Sequence, residues 1–477
     1  MAHLTGIQRN AWFPRGAALA ALLVGIISAQ PAQALPLFAR QTGMACMACH
    51  TNYPELTHFG RMFKLQGYQL DDGKDIEVTS DEGKPLVSLP AIPNLALFIM
   101  SGWVQLGKAL PDSNIPGAQS LKSGIQYPQQ ISLLYGGKIA PHFGAFAQIT
   151  YDSSAGTFGI DNTDFRFADT FVLPNKTKLT YGVSINNNPS VEDPWNTTPA
   201  FGFPYVPPEI NVPQLTGPQI NAALAGQVAG PVFYALWNEQ LYGAVGFYKA
   251  AKVGSVNPIT AKTAPYDSAT GNVLDGLNPY WRAAYEYDFD RYAFEVGAYG
   301  ARFKIFPGGG IPLTGLTNNY TDVAGDFQLQ FIGEQHISTW KGTYVREHQS
   351  LDASYALGAS NATNWVSYLS TDVDYWYKRK YGVTLGYLST KGSTDPLAYP
   401  SSPTYCAANA CGGSINPTTT PGAFPVGVTN SANSNPTTNA WVTELNYQAW
   451  LNVKFVLQYT HYTKFNGATS NYDGVGR

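Results

Sequence analysis

The sequence has little charge: Asp, Glu, Lys and Arg make up 13% of its 477 residues, and 32 acidic against 29 basic residues leave a net charge of -3. That balance excludes a nucleic-acid binder, which concentrates basic charge on one face. Cysteine is scarce as well. Four residues in a chain of this length do not make a disulfide scaffold. Beyond the N-terminus no apolar run approaches the roughly 20 residues of a spanning helix. Missing too is any spacing that argues for a Ser/His/Asp triad, a phosphate loop or a paired-carboxylate hydrolase.

Aromatic residues are abundant, at 13%, with Tyr alone numbering 30. The chain starts with Arg9 and Arg15 ahead of an apolar run, Ala17 to Ile27, and a small-x-small site at Ala32, Gln33, Ala34. These features read as a secretory signal over 1–34, with the mature chain starting at Leu35. The alternative, an uncleaved anchor helix, needs a longer apolar core. Export together with tyrosine-rich, weakly charged segments leaves a secreted β-protein or an outer-membrane barrel.

Periodicity favours the barrel. Fifteen strands can be placed near 95–107, 127–137, 142–151, 164–171, 178–186, 227–237, 241–250, 278–288, 291–303, 321–332, 336–346, 364–377, 380–390, 439–449 and 452–464. In one of them Phe165, Phe167 and Phe171 alternate with Asp164, Arg166 and Thr170, which suits a lipid face backed by a polar lumen. In another, Phe143, Ala145, Ala147, Ile149 and Tyr151 share the face that would meet lipid. Very short turns fall at Asp288–Asp290, Lys378–Lys380 and Ala449–Leu451, whereas 392–438 is a long polar connection. Short turns on one rim and long loops on the other are the habit of outer-membrane barrels. A β-solenoid would need a fixed-period repeat, and none is present. The expected fold is therefore all-β, a transmembrane antiparallel β-barrel of about 16 strands. The expected division is a signal at 1–34, a haem segment at 35–90 and the barrel at 91–477.

The haem expectation comes from "GMACMACHTNYPELTHFG". Cys46 and Cys49, two residues apart and followed by His50, let two thioethers hold one haem c while the imidazole lies beneath the iron. A structural disulfide or a thioredoxin-like pair would leave His50 without a role, and no βαβ pattern surrounds the motif. Residues 35–90 are too few to build an apolar shell around a haem alone. A barrel of this size encloses a lumen wide enough for a plug, so the segment is expected inside the barrel or at its mouth.

Flanking phrases carry a resemblance. "FARQTGMACMACHTNYPEL", "FGRMFKLQGYQL" and "NNNPSVEDPWNTTPAFGFPY" resemble the fused monohaem cytochrome-porins of iron-oxidising bacteria, over essentially the whole mature chain. The resemblance implies an outer-membrane oxidoreductase that takes electrons from extracellular Fe(II) and passes them to a periplasmic copper protein or soluble cytochrome c. A conduit of the same build for another extracellular donor or acceptor, and a solute porin with an incidental haem, are the alternatives. For the sixth iron ligand Met44, Met47, Met62 and Met100, or one of His58, His142, His336, His348 and His461, have suitable atoms, and Met62 is preferred, because it lies far enough along the chain and a thioether raises the potential. His58 is its rival, and a water-occupied position remains. Met44 and Met47 lie beside the tethered edge.

Cys406 and Cys411 are expected to form a disulfide in an oxidising compartment. Trp195, Trp237, Trp281, Trp365 and Trp376 suit interfacial girdles. Glu192 and Asp193 either collect Fe(II) at the mouth or are ordinary loop carboxylates. Hairpin-linked barrels have even strand numbers, and the resembled family ends on a further strand closing with an aromatic residue, whereas this sequence ends in "FNGATSNYDGVGR". The expectation is a sixteenth strand of about 10 residues that is absent from this sequence. In the alternative, 178–186 is a loop and fourteen strands close.

Overall fold

A computed structural model describes residues 37–70, 75–79, 85–90, 94–107, 122–152, 156–205, 216–251, 272–307, 315–399, 431 and 433–469. The signal at 1–34 and the Cys406/Cys411 pair lie outside the described residues. A hairpin pairs β1 (Asp75–Thr79) with β2 (Pro85–Pro90). All fifteen expected strands are present. They are β3 (Leu95–Gln105), β4 (Ser123–Ala140), β5 (Phe143–Asp152), β6 (Thr157–Val172), β7 (Lys178–Asn186), β8 (Val228–Trp237) and β9 (Leu241–Ala250) in the first half. After the two-residue β10 (Val273–Leu274) come β11 (Asn278–Phe289), β12 (Tyr292–Phe306), β13 (Asn318–Ile332), β14 (His336–Ser350), β15 (Thr363–Tyr377), β16 (Tyr381–Gly392), β17 (Thr438–Trp450) and β18 (Val453–Lys464).

Each long strand pairs antiparallel with the next, and β10 adds to β12. With β10 the sheet has 16 strands. Residues 178–186 form a full strand between β6 and β8, which removes the fourteen-strand alternative. Among the described residues no pairing joins β3 to β18. The tight turns sit one residue later than expected at two places. Phe289 pairs with Tyr292 across Asp290 and Arg291, and Trp450 pairs with Val453 across Leu451 and Asn452. Positive φ at Asp290, and likewise at Lys378, Arg379, Asn238 and Glu239, gives these hairpins the left-handed turn backbone that matches strand twist.

Alternation sets the two faces. Phe165, Phe167 and Phe171 are exposed while Asp164 and Arg166 are fully buried. Leu97, Ile99 and Trp103 on β3, and Phe455, Leu457 and Tyr459 on β18, likewise point outward. On β5 the expectation holds less evenly, because Ile149 is exposed while Ala145 is fully buried, with a register shift between Ala147 and Ile149.

The wall curls around two lumen segments. Residues 37–70 carry α1 (Leu37–Thr42), α2 (Cys46–Cys49) and α3 (His58–Leu65). Asn52 meets Lys454 on the last strand, the Tyr53 ring lies 6.5 Å from Phe98 on the first, and Arg61 bonds Gln330 on β13 on the way round. Gly144 must be glycine: a Cβ there would lie 1.8 Å from the Gly67 carbonyl oxygen, where the segment crosses β5. The second segment, 187–205, follows β7 and is mostly buried.

That second segment is anchored by ions. Asp193 accepts from the amides of Trp195, Thr197 and Thr198 at 3.0–3.1 Å and pairs with Arg282 of β11 at 3.1 Å. Arg282 also holds Asp326 at 2.8 Å and Glu295 at 3.2 Å, all four groups being buried. Removing one member of a buried ionic set strands the others, at about 3–5 kcal/mol. Arg282→Leu is therefore expected to lower resistance to denaturant by about that much, read from the urea midpoint of the detergent-folded protein, and a surface change such as Arg291→Leu should leave the midpoint within experimental scatter.

Candidate haem site

Thr57 caps α3, its hydroxyl accepting from the Gly60 amide at 3.2 Å. The same hydroxyl donates to the Ala48 carbonyl at 2.6 Å, and the Thr57 amide donates to the Cys49 carbonyl at 2.9 Å. One residue thus starts the helix and ties it to the cysteine turn. Contact is so close at Gly60 that a Cβ would lie 2.2 Å from the Cys49 oxygen. The Phe38 ring, 5.0 Å from Phe63 and 5.5 Å from Tyr68, clamps α1 onto α3.

The motif residues fit a covalently held haem. Cys46 and Cys49 are free thiols on one short helical turn, half-buried, so both are available for thioethers. Burial pushes both thiols up and keeps them protonated. His50 Nδ1 donates to the Glu55 carbonyl at 3.1 Å, because a carbonyl can only accept. That bond fixes the tautomer and leaves Nε2 as the lone-pair nitrogen, the arrangement in which an imidazole binds metal. Burial pushes this imidazole down to about 4, which keeps it neutral at ordinary pH.

The surroundings differ on the two sides of the lumen. Lumen-facing residues of β11 and β13, such as Asn278, Tyr280, Arg282, Asp322, Asp326 and Gln328, are buried, Arg282 and Asp326 against 187–205 and Asp322 against 219–223. Those of β3 and β18, such as Phe98, Met100, Gln458 and Thr460, are half-buried. Met44, Met47 and Tyr53 are exposed beside the motif, and Tyr53 reaches toward Phe98. The stretch just after the cysteine turn therefore borders β3 and β18. It sits toward the short-turn rim, since Asn52 meets Lys454 next to the β17–β18 turn and His58 reaches Glu239 in the β8–β9 turn.

The two residues expected as sixth ligands share one face of α3. On a helix of 3.6 residues per turn, His58 and Met62 are each about 200° from Gly60, so they occupy the face turned away from Cys49. Met62 packs against the buried cluster that includes Trp195 and Tyr242. His58 Nδ1 lies 2.6 Å from Asp288, 3.5 Å from Glu286 and Nε2 3.7 Å from Glu239. Arg61 joins this set through an ion pair with Glu286 and a 3.6 Å approach to Asp288. His58, Glu286 and Asp288 have ligand atoms within 4.8 Å of one another. Arg61 and the Trp195 indole already occupy the two Glu286 oxygens, so the cluster works as an anchor for α3.

Two other expectations are corrected. Glu192 and Asp193 are fully buried inside the lumen, the second serving as the cap of the 193–198 turn, and neither stands at a mouth. Trp195 is 1% exposed and Trp376 3%, so these two are not girdle residues, whereas Trp237 and Trp281 do face outward. The sequence reading missed Arg61, Glu55, Lys341 and Lys454, which bind the haem segment to the wall. Glu55 pairs with Lys341 of β14 at 3.1 Å. The signal available was an amphipathic helix whose Arg61 and Lys64 had to find lumen-facing acids or carbonyls.

The chain matches no protein-family model and no curated protein sequence. Among solved structures it is similar to OmpF of Salmonella typhi in complex with daunomycin, with a TM-score of 0.40 and 12% identity over 80% of this chain and 95% of that one. It is similar also to outer-membrane OmpT of Vibrio cholerae, with a TM-score of 0.29 and 10% identity over 66% and 90% of the two chains.

Two outcomes follow from this geometry. Gly60→Ala must push α3 off the cysteine turn, so haem incorporation measured by haem staining should fall sharply while the barrel still forms. The bonds to Asp288 and then Glu286 hold the His58 imidazole up at about 9, opposed by burial. A raised value means the charged pair stabilises fully below the unfolded value of about 6.5 and is lost as pH rises through about 9. His58→Gln should therefore destabilise the protein to denaturant at about pH 6 and make little difference at about pH 10.

Proposed function

We propose that this protein is an outer-membrane c-type cytochrome enclosed in its own barrel, an oxidoreductase that draws electrons from extracellular Fe(II) and delivers them to a periplasmic copper protein or soluble cytochrome c. The observation that carries the reading is the CxxCH turn held in the lumen with the His50 Nδ1 bonded to the Glu55 carbonyl and Tyr53 turned toward Phe98 of β3. The outward apolar belt and the hairpin order support a place in the outer membrane.

A haem c bound there supplies a one-electron Fe(III)/Fe(II) couple. Cys46 and Cys49 hold it by thioethers, and His50, oriented by the Glu55 carbonyl, provides the proximal nitrogen. The wall strands keep bulk lipid and much of the water away from it. Short turns mark the periplasmic rim of bacterial barrels, so a motif near that rim is placed for handing electrons to a periplasmic acceptor. The donor assignment rests on the resemblance of the motif's flanks and of the 186–205 loop. The inner segments bury the lumen face of β11 and β13, which counts against free passage of solutes.

The test uses purified full-length protein. Haem should stay with the denatured polypeptide through acid-acetone extraction, Cys49→Ser should lose most of it, and stopped-flow mixing with Fe(II) should reduce the wild-type haem. Free extraction of the haem would end the cytochrome reading; covalent haem that Fe(II) leaves oxidised would end the Fe(II) reading and favour another donor.

A further inference from the structure

We infer that Met100, on the first wall strand, is the distal axial ligand of the haem, an assignment that rests on the cytochrome reading above. In β3 the residues Leu97, Ile99 and Trp103 are 57–64% exposed and point out of the barrel, so the alternating positions Phe98 and Met100 point in. Across the sheet Met100 pairs with Gln130 and Phe98 with Ser132, and Ser132 is fully buried, consistent with an inward face.

Location comes next. The His50 ring lies 5.6 Å from Tyr53, and Tyr53 lies 6.5 Å from Phe98. Met100 is two residues further along the same face, about 7 Å from Phe98. Both His50 and Met100 therefore border the half-open lumen beside β3 and β18. The inward neighbours on β4 and β5 are Gln130, Ser132, Gln148 and Thr150, which bond among themselves. On the β4 side this thioether meets polar partners, and it is a soft donor suited to haem iron.

Elimination narrows the choice. His336, His348 and His461 sit at outward positions of β14 and β18, and His142 lies in the β4–β5 turn, 3.4 Å from Asp169. His58 is committed to Asp288, Glu286 and Glu239, and Met62 to the Trp195 cluster. Met44 and Met47 flank the tethered cysteines. Among the described residues, Met100 is the one methionine or histidine that a wall strand turns into the lumen.

The experiment compares haem-loaded full-length protein with Met100→Leu, Met100→His, Met62→Leu and His58→Gln. Heat-modifiable migration in gels verifies that each barrel has formed, and Met→Leu conserves volume. The readouts are the near-infrared charge-transfer band of ferric thioether ligation, the spin state and the midpoint potential. Wild-type protein should show the band. Met100→Leu should lose it, become high-spin and shift to lower potential, while Met100→His should lose the band, stay low-spin and also shift down. Met62→Leu and His58→Gln should keep the band. Survival of the band in both Met100 variants, or its loss in Met62→Leu alone, overturns the assignment and leaves the cytochrome reading intact. Wild-type protein without covalent haem overturns both.

Discussion

The arrangement depends on the pairing of buried Arg61 with Glu286. Thirty-odd residues around a CxxCH turn cannot enclose a haem by themselves, so the segment must borrow its shell from a wall that lies hundreds of residues away in sequence. A single guanidinium does much of the borrowing. Arg61 bonds Glu286 of β11, Gln330 of β13 and the Leu56 carbonyl of its own segment. The same Glu286 receives the Trp195 indole at 2.8 Å, which locks the second inner segment to the first.

Other ionic contacts repeat this logic around the lumen. Arg166 of β6 holds Asp164 beside it and reaches the Lys64 and Glu192 carbonyls at 3.1 and 2.9 Å. Lys64 in turn donates to the Asp193 carbonyl and to Asn196. Buried charges are costly unless they are paired and fully bonded, and here each cation has several oxygen partners. The inner segments are thus tied most firmly to β6, β11 and β13, while the lumen-facing residues of β3 and β18 are only half-buried.

Much of the wall was legible in the sequence, because lipid outside and polar lumen inside impose a period of two that short turns punctuate. Even β7, the weakest of the strands by pattern, pairs along its full length. The turn at Asp290 moved by one residue because left-handed turn backbone suits Asp there and the pairing extends through Phe289. The fate of 187–205 was not legible. Its Asn, Pro and Trp residues carry turn chemistry and resemble a rim loop, and nothing local reveals that Asp193 pairs with an arginine on β11. For the candidate site, CxxCH pointed to Cys46, Cys49 and His50, whereas the helical face of Met62 was ambiguous. Gly60 held the clue, since a residue without a Cβ marks the side of α3 that presses on Cys49.

Placing the cysteine turn toward the short-turn rim, inside the wall, makes electron transfer across the barrel the central claim. Proteoliposomes carrying the haem-loaded protein, with a soluble ferric c-type cytochrome trapped inside and Fe(II) supplied outside, test it most directly. The account predicts reduction of the trapped cytochrome at a rate proportional to the amount of inserted protein and abolished in vesicles carrying Cys49→Ser. A trapped cytochrome that stays oxidised, while the barrel's own haem is reduced by the external Fe(II), would contradict it.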